Sequence, residues 1–304
     1  MMLVSRVPAT TANLGVGFDT LGLALKLYNT FEVKISHLDN IEVVGEGKEE
    51  LVKRENNSFI KTIEYFYRLH NMTPPHLVIK ISSNIPICRG LGSSASAIVA
   101  GLMVANALTG KNLPKEVLLK YAVELERHPD NVTPAMLGGC TISLVSNGEI
   151  IVKKIPFPEE IAIIVAVPQF NVETELSRKL IPDCVSLDTT IRGLAKMGMF
   201  VTSLLTKDFK HLPIILDDEL HEPYRANYIP NYKKIKEELI SSGALGVMIS
   251  GSGPSMVILS ERDKVKQLKE DIKAVLFRNN IVSKVFDLEI DNEGALLEVK
   301  ECIT

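Results

Sequence analysis

One stretch constrains this chain more than any other: residues 86–97, P-I-C-R-G-L-G-S-S-A-S-A, which run directly into the apolar segment 98–108. Gly90, Gly92 and Ser93 are small enough for the backbone to turn sharply and to come close to a ligand. Ser93 and Ser94 are residues favoured where a helix begins, and from Ala95 onward the chain reads as that helix. A glycine turn feeding a helix N-terminus presents free N–H groups and the positive end of the helix dipole. Its natural guest is a phosphate. A GxG turn alone also caps ordinary buried helices, so the choice falls to the rest of the chain.

Two other phosphate loops are excluded first. A Walker loop requires G-x-x-x-x-G-K-[ST], and no Lys follows Gly92. G-L-G-S-S-A fits the dinucleotide pattern G-x-G-x-x-[GA], which should follow a strand directly and lead to a second strand ending in an acid. Here the strand-like run 76–82 is separated from the glycines by Ser83-Asn84-Ile85-Pro86. Beyond the helix comes T-G-K-N-L-P and then another helix, with no second strand.

The 304-residue length predicts two domains or one large one. Apolar residues make up 46% of the chain, ample for packed cores, and the net charge of −3 predicts no strong pull toward nucleic acid or anionic membrane. The longest apolar run, 98–105, falls short of the roughly 20 residues that a membrane helix needs. The first residues read as a strand, without a signal peptide's apolar stretch or cleavage site. Cys88, Cys140, Cys184 and Cys302 show no C-x-x-C spacing, which argues against zinc and against a disulfide framework. A soluble, cytoplasmic protein is expected.

Along the chain, residues 2–8 read as a strand and 9–19 as a polar, glycine-bearing loop. Strands are predicted at 31–35, 41–44 and 76–82, with Ser58 capping a helix that carries Phe59, Ile63, Phe66 and Leu69 on one side. A second helix spans 114–127. Pro129 disfavours helix at the residue before it, so 128–131 should be a turn. Asn147-Gly148 marks a hairpin between the runs 140–145 and 150–155. Pro156-Phe157-Pro158 reads as a linker, dividing the chain into domains 1–157 and 158–304. The second half reads as strand 161–167, helices near 173–180 and 188–205, helix 232–241, strands 244–249 and 256–260, helix 263–279, and strands from 281 and 295. That succession suggests a split βαβ layer of α+β type, not a parallel sheet.

Three glycine-bearing loops have now appeared: P-A-T-T-A-N-L-G-V-G-F-D from Pro8, P-x-x-x-G-L-G-S-S-A from Pro86, and S-G-S-G-P-S from Ser250. In this order and at this spacing they resemble the GHMP kinase superfamily. Within it, H-P-D-N-V-T-P-A-M-L-G-G, Thr174 with Arg178, and E-P-Y-R-A-N-Y-I-P-N-Y look like segments of the homoserine kinase family. The likeness covers about 4–260. The fold it implies is a two-domain α+β one: an N-terminal ATP-binding domain resembling a ribosomal-protein domain and a ferredoxin-like C-terminal domain.

The resemblance implies ATP and Mg²⁺ as cofactors and the phosphorylation of the L-homoserine hydroxyl, a step of threonine biosynthesis. It places ATP on Pro86, Ile87, Cys88, Arg89, Gly90, Leu91, Gly92, Ser93, Ser94, Ala95 and Ser96. It places the metal on Ser94 and a helix glutamate, taken as Glu126 with Glu124 as the alternative. A zwitterionic substrate needs an anion for its ammonium and preferably arginine for its carboxylate. The resemblance offers Asn13, Asp19 and His128 for the first, Arg178 and Arg225 for the second, with Thr174 and Gly251 also in the substrate set. Asn131, Asp130 and Arg178 form the catalytic set. Some superfamily members use an aspartate as base, which points to Asp130; homoserine kinases are thought to work without one, which points to Asn131 near the hydroxyl. One departure is Arg127, where the segment usually has glycine, a bulky cation near the proposed metal ligand.

Two rivals stand beside this reading. Another GHMP kinase, of mevalonate or shikimate type, would lack the paired arginines for an amino-acid carboxylate. A non-catalytic member of the fold would be expected to lose the metal and phosphate-loop residues, and these are present. For partners, the small molecule L-homoserine is expected, with a homodimer as the option for assembly, no nucleic acid and no membrane.

Overall fold

The computed structural model describes residues 2–172 and 174–300; Cys302 lies outside them. The first half contains β1 (Met2–Ala12), β2 (Leu21–Ile35), β3 (Asn40–Gly45), α1 (Lys48–Leu51), α2 (Ser58–Leu69), β4 (Leu77–Ser83), α3 (Ser93–Leu108), α4 (Lys115–Glu126), α5 (Pro129–Leu137), β5 (Cys140–Ser146) and β6 (Glu149–Ile155). The second contains β7 (Ile161–Pro168), α6 (Thr174–Lys179), α7 (Leu187–Thr206), α8 (Leu212–Ile215), α9 (Glu222–Arg225), α10 (Tyr232–Ser241), β8 (Gly246–Ile249), β9 (Met256–Glu261), α11 (Val265–Arg278), β10 (Ser283–Leu288) and β11 (Leu296–Lys300). Among the described residues, no helix is long and apolar enough to cross a membrane.

Two sheets result. The first runs β11-β1-β2-β4-β3, with the β5–β6 hairpin attached through β2; β3 and β4 pair in parallel. The second runs β10-β7-β9-β8, with antiparallel pairs. With α10 before β8 and α11 between β9 and β10, it has the ferredoxin-like order expected of the second half. The 157/158 division falls between β6 and β7. The last strand crosses back over it, since β11 pairs with β1 over Met2–Arg6; residues 296–300 therefore complete the first sheet.

Three local expectations are corrected. Residues 9–12 are strand, not loop: Ala9–Ala12 pair with Leu25–Gly22 after a bulge at Pro8/Ala9. Small and hydroxyl side chains suit this buried strand end even though they resemble loop composition. The helix cap of α2 is Asn57, not Ser58, and its side chain accepts from the N–H groups of Phe59 and Ile60. Residues 128–131 are a helix start, because Pro129 sits at N1 of α5, where its fixed φ fits and no N–H is missed.

The nearly all-apolar α3 is central, as its composition demands. Val99, Leu102 and Val104 are wholly buried among α2, α4, α5 and β1, and full burial of each such side chain contributes about 1.5–3 kcal/mol. A second apolar cluster joins Leu14, Leu21 and Leu23 of the first half to Val165, Phe200, Leu216 and Met248 of the second. It packs the two halves together immediately beneath the glycine loops.

Candidate active site

The three glycine-bearing loops meet and are bonded to one another. Thr10 N–H donates to the Leu91 carbonyl (3.1 Å), and Gly251 N–H to the Ala12 carbonyl (3.2 Å). The Ser250 hydroxyl donates to the Gly90 carbonyl (2.6 Å) and lies 2.9 Å from the Thr11 hydroxyl. Asn13 Nδ2 donates to the Gly251 carbonyl (3.0 Å), while its Oδ1 accepts the Asp19 N–H (3.0 Å). Asn13 and Asp19 both hold positive φ, 74° and 57°, a backbone region that Asn and Asp enter more readily than other side chains.

At the second loop, Gly92 N-caps α3 with φ 70° and brings no side chain to bond the first turn. That leaves the positive helix end open toward a cleft lined by Pro86, Ile87, Cys88, Arg89, Gly90, Leu91, Gly92, Ser93 and Ser94. Ala95 and Ser96 do not line it: both are fully buried. The Ser96 hydroxyl donates to the Ser93 carbonyl (2.8 Å) and accepts from Asn29 Nδ2 (2.9 Å). The glycines also have a reason of their own. A Cβ at Gly92 would lie 1.9 Å from Thr10 Oγ1, and one at Gly90 2.0 Å from the Ser250 carbonyl oxygen. The close approach that requires glycine is therefore to neighbouring loops as much as to any ligand.

The end of α4 and the start of α5 form the next wall. Ser94 Oγ donates to Glu126 Oε2 at 3.2 Å. Burial raises the Glu126 carboxyl above its usual range, with Asp130 adding, while His128 and Ser94 oppose. Glu124 instead faces Tyr65, whose hydroxyl burial and that carboxylate push up to about 12; of the two candidate glutamates, only Glu126 lines the cleft. Arg127 closes α4 in the left-handed region, φ 75°, which is the physical reason a glycine suits this place. Its side chain is exposed and does not line the cleft, so it leaves the Glu126 side open.

Asp130 is buried, and its Oδ1 accepts from His128 Nδ1 (2.9 Å) and Asn131 Nδ2 (3.4 Å). Burial pulls the His128 imidazole down, but the Asp130 bond and the charges of Asp130, Glu126 and Asp19 outweigh it and leave the ring raised toward its cationic form. Asn131 Oδ1 accepts the Thr10 hydroxyl at 2.8 Å, which fixes its amide.

Opposite them stand the two arginines. Arg178 meets Asp19 through both guanidinium Nη atoms, Nη1 at 3.2 Å. Arg225 is 4% exposed, and its Nη1 donates to the Gly251 carbonyl at 2.7 Å. Its buried Nε has no hydrogen-bond partner among the described residues. Burial lowers its guanidinium pKa, with Asp19 and Asp130 opposing. A buried charged N–H left unsatisfied is costly, and an anionic ligand oxygen would relieve it.

These walls enclose one cavity of about 250 Å³. Asn13, Asp19, Glu126, His128, Asp130, Asn131, Arg178, Arg225 and Gly251 all line it. The Thr174 side chain lies outside the described residues. Absent from the expected set but present in the walls are Leu51 and Asn56–Ser58, contributed from α1 to the start of α2, together with Asn29 and Phe31. No motif marks these residues. Phe18, Thr10 and His221 stand behind the lining, and each falls inside or beside a motif already noted.

Residues 57–139 match the family model for the GHMP kinases N terminal domain, and 200–277 that for GHMP kinases C terminal. Among similar proteins, the homoserine kinase of Carboxydothermus hydrogenoformans is 39% identical over 86% of this chain and 86% of its own. That of Aquifex aeolicus is 39% identical over 96% of this chain and 98% of its own. Among solved structures, the homoserine kinase of Cytophaga hutchinsonii superposes with a TM-score of 0.86 at 27% identity, covering 98% of this chain and 97% of that one. The L. major mevalonate kinase shares the fold at TM-score 0.72 and 16% identity, over 95% and 96% of the two chains. The three collinear loops and these matches agree, and the chain belongs to the homoserine kinase family of the GHMP kinases.

Proposed function

We propose that this protein transfers the γ-phosphoryl group of ATP to the side-chain hydroxyl of L-homoserine, forming O-phospho-L-homoserine and ADP. Such a transfer needs positioning and charge neutralisation more than covalent chemistry. The open N-terminus of α3 and the Pro86–Ser94 wall suit the ATP phosphates. Mg²⁺ takes hard oxygen ligands and keeps few protein ones when phosphates and water fill the rest. Ser94 and Glu126 fit that requirement: two oxygens 3.2 Å apart, one on a carboxylate that burial leaves short of positive charge. When bound, the metal would neutralise charge on the phosphate oxygens.

The observation that carries the substrate assignment is Arg225, whose buried Nε lacks a partner among the described residues and which lines the cavity that also holds the start of α3. An α-carboxylate on Arg225 and Arg178, with the ammonium on Asn13 and Asp19, sets the side-chain hydroxyl toward Asn131 and the phosphate end. His128, held toward its cation by Asp130, is a poor partner for an ammonium; in this reading it orients Asp130. Coupled measurement of ADP release with ATP, Mg²⁺ and a panel of L-homoserine, mevalonate, shikimate and galactose tests the proposal. Turnover with L-homoserine alone is expected, and preference for any other acceptor rejects it.

A further inference from the structure

Arg225 is gripped from one side of its guanidinium. Nη1 donates to the Gly251 carbonyl at 2.7 Å and to Nδ1 of His221 at 3.3 Å. A guanidinium has no acceptor, so Nδ1 carries a lone pair and the His221 proton sits on Nε2. Nε2 lies 2.9 Å from the Gly15 carbonyl, to which it donates, and 3.6 Å from Asp218 Oδ2. Asp218 Oδ2 also accepts the N–H groups of Leu220, His221 and Glu222, which fixes the start of α9. The His221 ring is fully buried and stacks on Phe18, with centroids 5.2 Å apart and planes 21° apart. The Arg225 guanidinium lies over the same Phe18 ring at 5.2 Å, and that of Arg178 at 5.7 Å.

We propose that His221 is a positioning residue for substrate recognition: by engaging Nη1 from behind, it leaves the Nε edge of Arg225 for the substrate carboxylate. The inference rests on the amino-acid kinase reading given above. A guanidinium binds a carboxylate best through two parallel N–H groups on one edge. Gly251 and His221 occupy Nη1, and Phe18 sets the plane, so Nε and its neighbour form the edge that remains. His221 touches none of the reacting atoms. A purely structural histidine would instead affect every substrate alike.

The test compares His221→Phe, which keeps a ring against Phe18 but has no acceptor, with His221→Asn, whose Oδ1 can stand where Nδ1 stands. KM and kcat are measured for ATP, for L-homoserine, and for 3-aminopropan-1-ol, the same acceptor without its carboxylate. His221→Phe should raise KM for L-homoserine about 10- to 100-fold, the range of a lost hydrogen bond to a charged group. The KM for ATP, and kcat/KM for the amino alcohol, should change less than about threefold, and His221→Asn should recover most of the loss. Equal losses on both acceptors, or no recovery with Asn, overturn the positioning role. If His221→Phe does not fold, Phe18→Leu serves: it removes the ring beneath both guanidinium groups, and must cost L-homoserine more than the amino alcohol for the proposal to stand. Wild-type protein that fails to phosphorylate L-homoserine overturns the functional reading and this one together; normal wild-type turnover with an unaffected His221→Phe overturns this one alone.

Discussion

Gly92→Ala separates a glycine kept for its neighbours from one kept for a phosphate. The added Cβ would lie 1.9 Å from Thr10 Oγ1 and 3.2 Å from Asn131 Oδ1, so Thr10 must turn away from its 2.8 Å bond to Asn131. The backbone at φ 70° adds strain of about 1–2 kcal/mol for a residue with a side chain. The lost hydrogen bond adds about 0.5–1.5 kcal/mol, and the stiffer unfolded chain returns about 0.4–1 kcal/mol. The net expectation is a destabilisation of about 1–3 kcal/mol, read by denaturant unfolding. Thr10→Ala removes the obstructing hydroxyl, so Gly92→Ala should cost less in that background, with a coupling of about 0.5 kcal/mol or more. Because Asn131 loses its donor, kcat for L-homoserine should fall as well. If Gly92→Ala leaves stability and kcat unchanged and raises only KM for ATP, the glycine serves the phosphate and the packing argument fails. Strict additivity of the two substitutions would refute it too.

Asp130→Asn should lower kcat less than about 100-fold, since a true general base is worth roughly 100- to 10,000-fold; it should also drop the His128 pKa by removing the partner that raises it, visible by NMR titration. A larger loss in kcat with ATP binding intact would make Asp130 the base. Glu126→Gln should weaken the apparent Mg²⁺ affinity. Because the folded-state pKa of Glu126 is raised, its contribution to stability is present below the ordinary carboxylate range and lost as pH rises through the folded value. Metal-free Glu126→Gln should therefore gain stability on the wild type near neutral pH and lose that gain in acid; a pH-independent difference contradicts the burial argument. Arg127→Gly should stabilise by about 0.5–1 kcal/mol, relief of left-handed strain outweighing the more flexible unfolded chain, and a lower thermal midpoint would count against it.

Much of this site is legible in the sequence because its parts are local. Gly90-Leu91-Gly92-Ser93 announces a turn into a helix through residue types alone, and α3 follows where the apolar run begins. Asn147-Gly148 likewise yields the β5–β6 hairpin. What hides is whatever depends on contacts distant in sequence. The return of β11 to β1 pairs residues almost 300 positions apart, and Leu297 and Val299 look no different from a fifth strand of the second sheet. Leu51 and Asn56–Ser58 reach the cavity only because α2 packs on α3. Ala95 and Ser96 belong to the phosphate motif by position, but the helix turns both into the core. His221 lies one residue before a recognisable segment, and its role shows only once its contacts with Phe18 and Arg225 are seen.

The end of β1 explains how distant parts are held to one geometry. Successive side chains of a strand point to opposite faces, so Thr10 and Thr11 address different partners. Thr10 bonds Asn131 and crowds Gly92, both in the first half. Thr11 lies against Ser250, and Asn13 bonds Gly251, both in the second. One strand terminus thus spans the phosphate loop on one side and the arginine-bearing wall on the other. This accounts for the buried strand at Ala9–Ala12 where composition suggests a loop: a loop would lack the alternation that sends neighbouring hydroxyls to two walls. In the proposed function, the distance between an acceptor held by Arg225 and a phosphate held at α3 is then set through the Ser250–Gly90 and Asn13–Gly251 contacts. Positioning of this kind is where a phosphoryl-transfer site without a covalent step must find most of its rate.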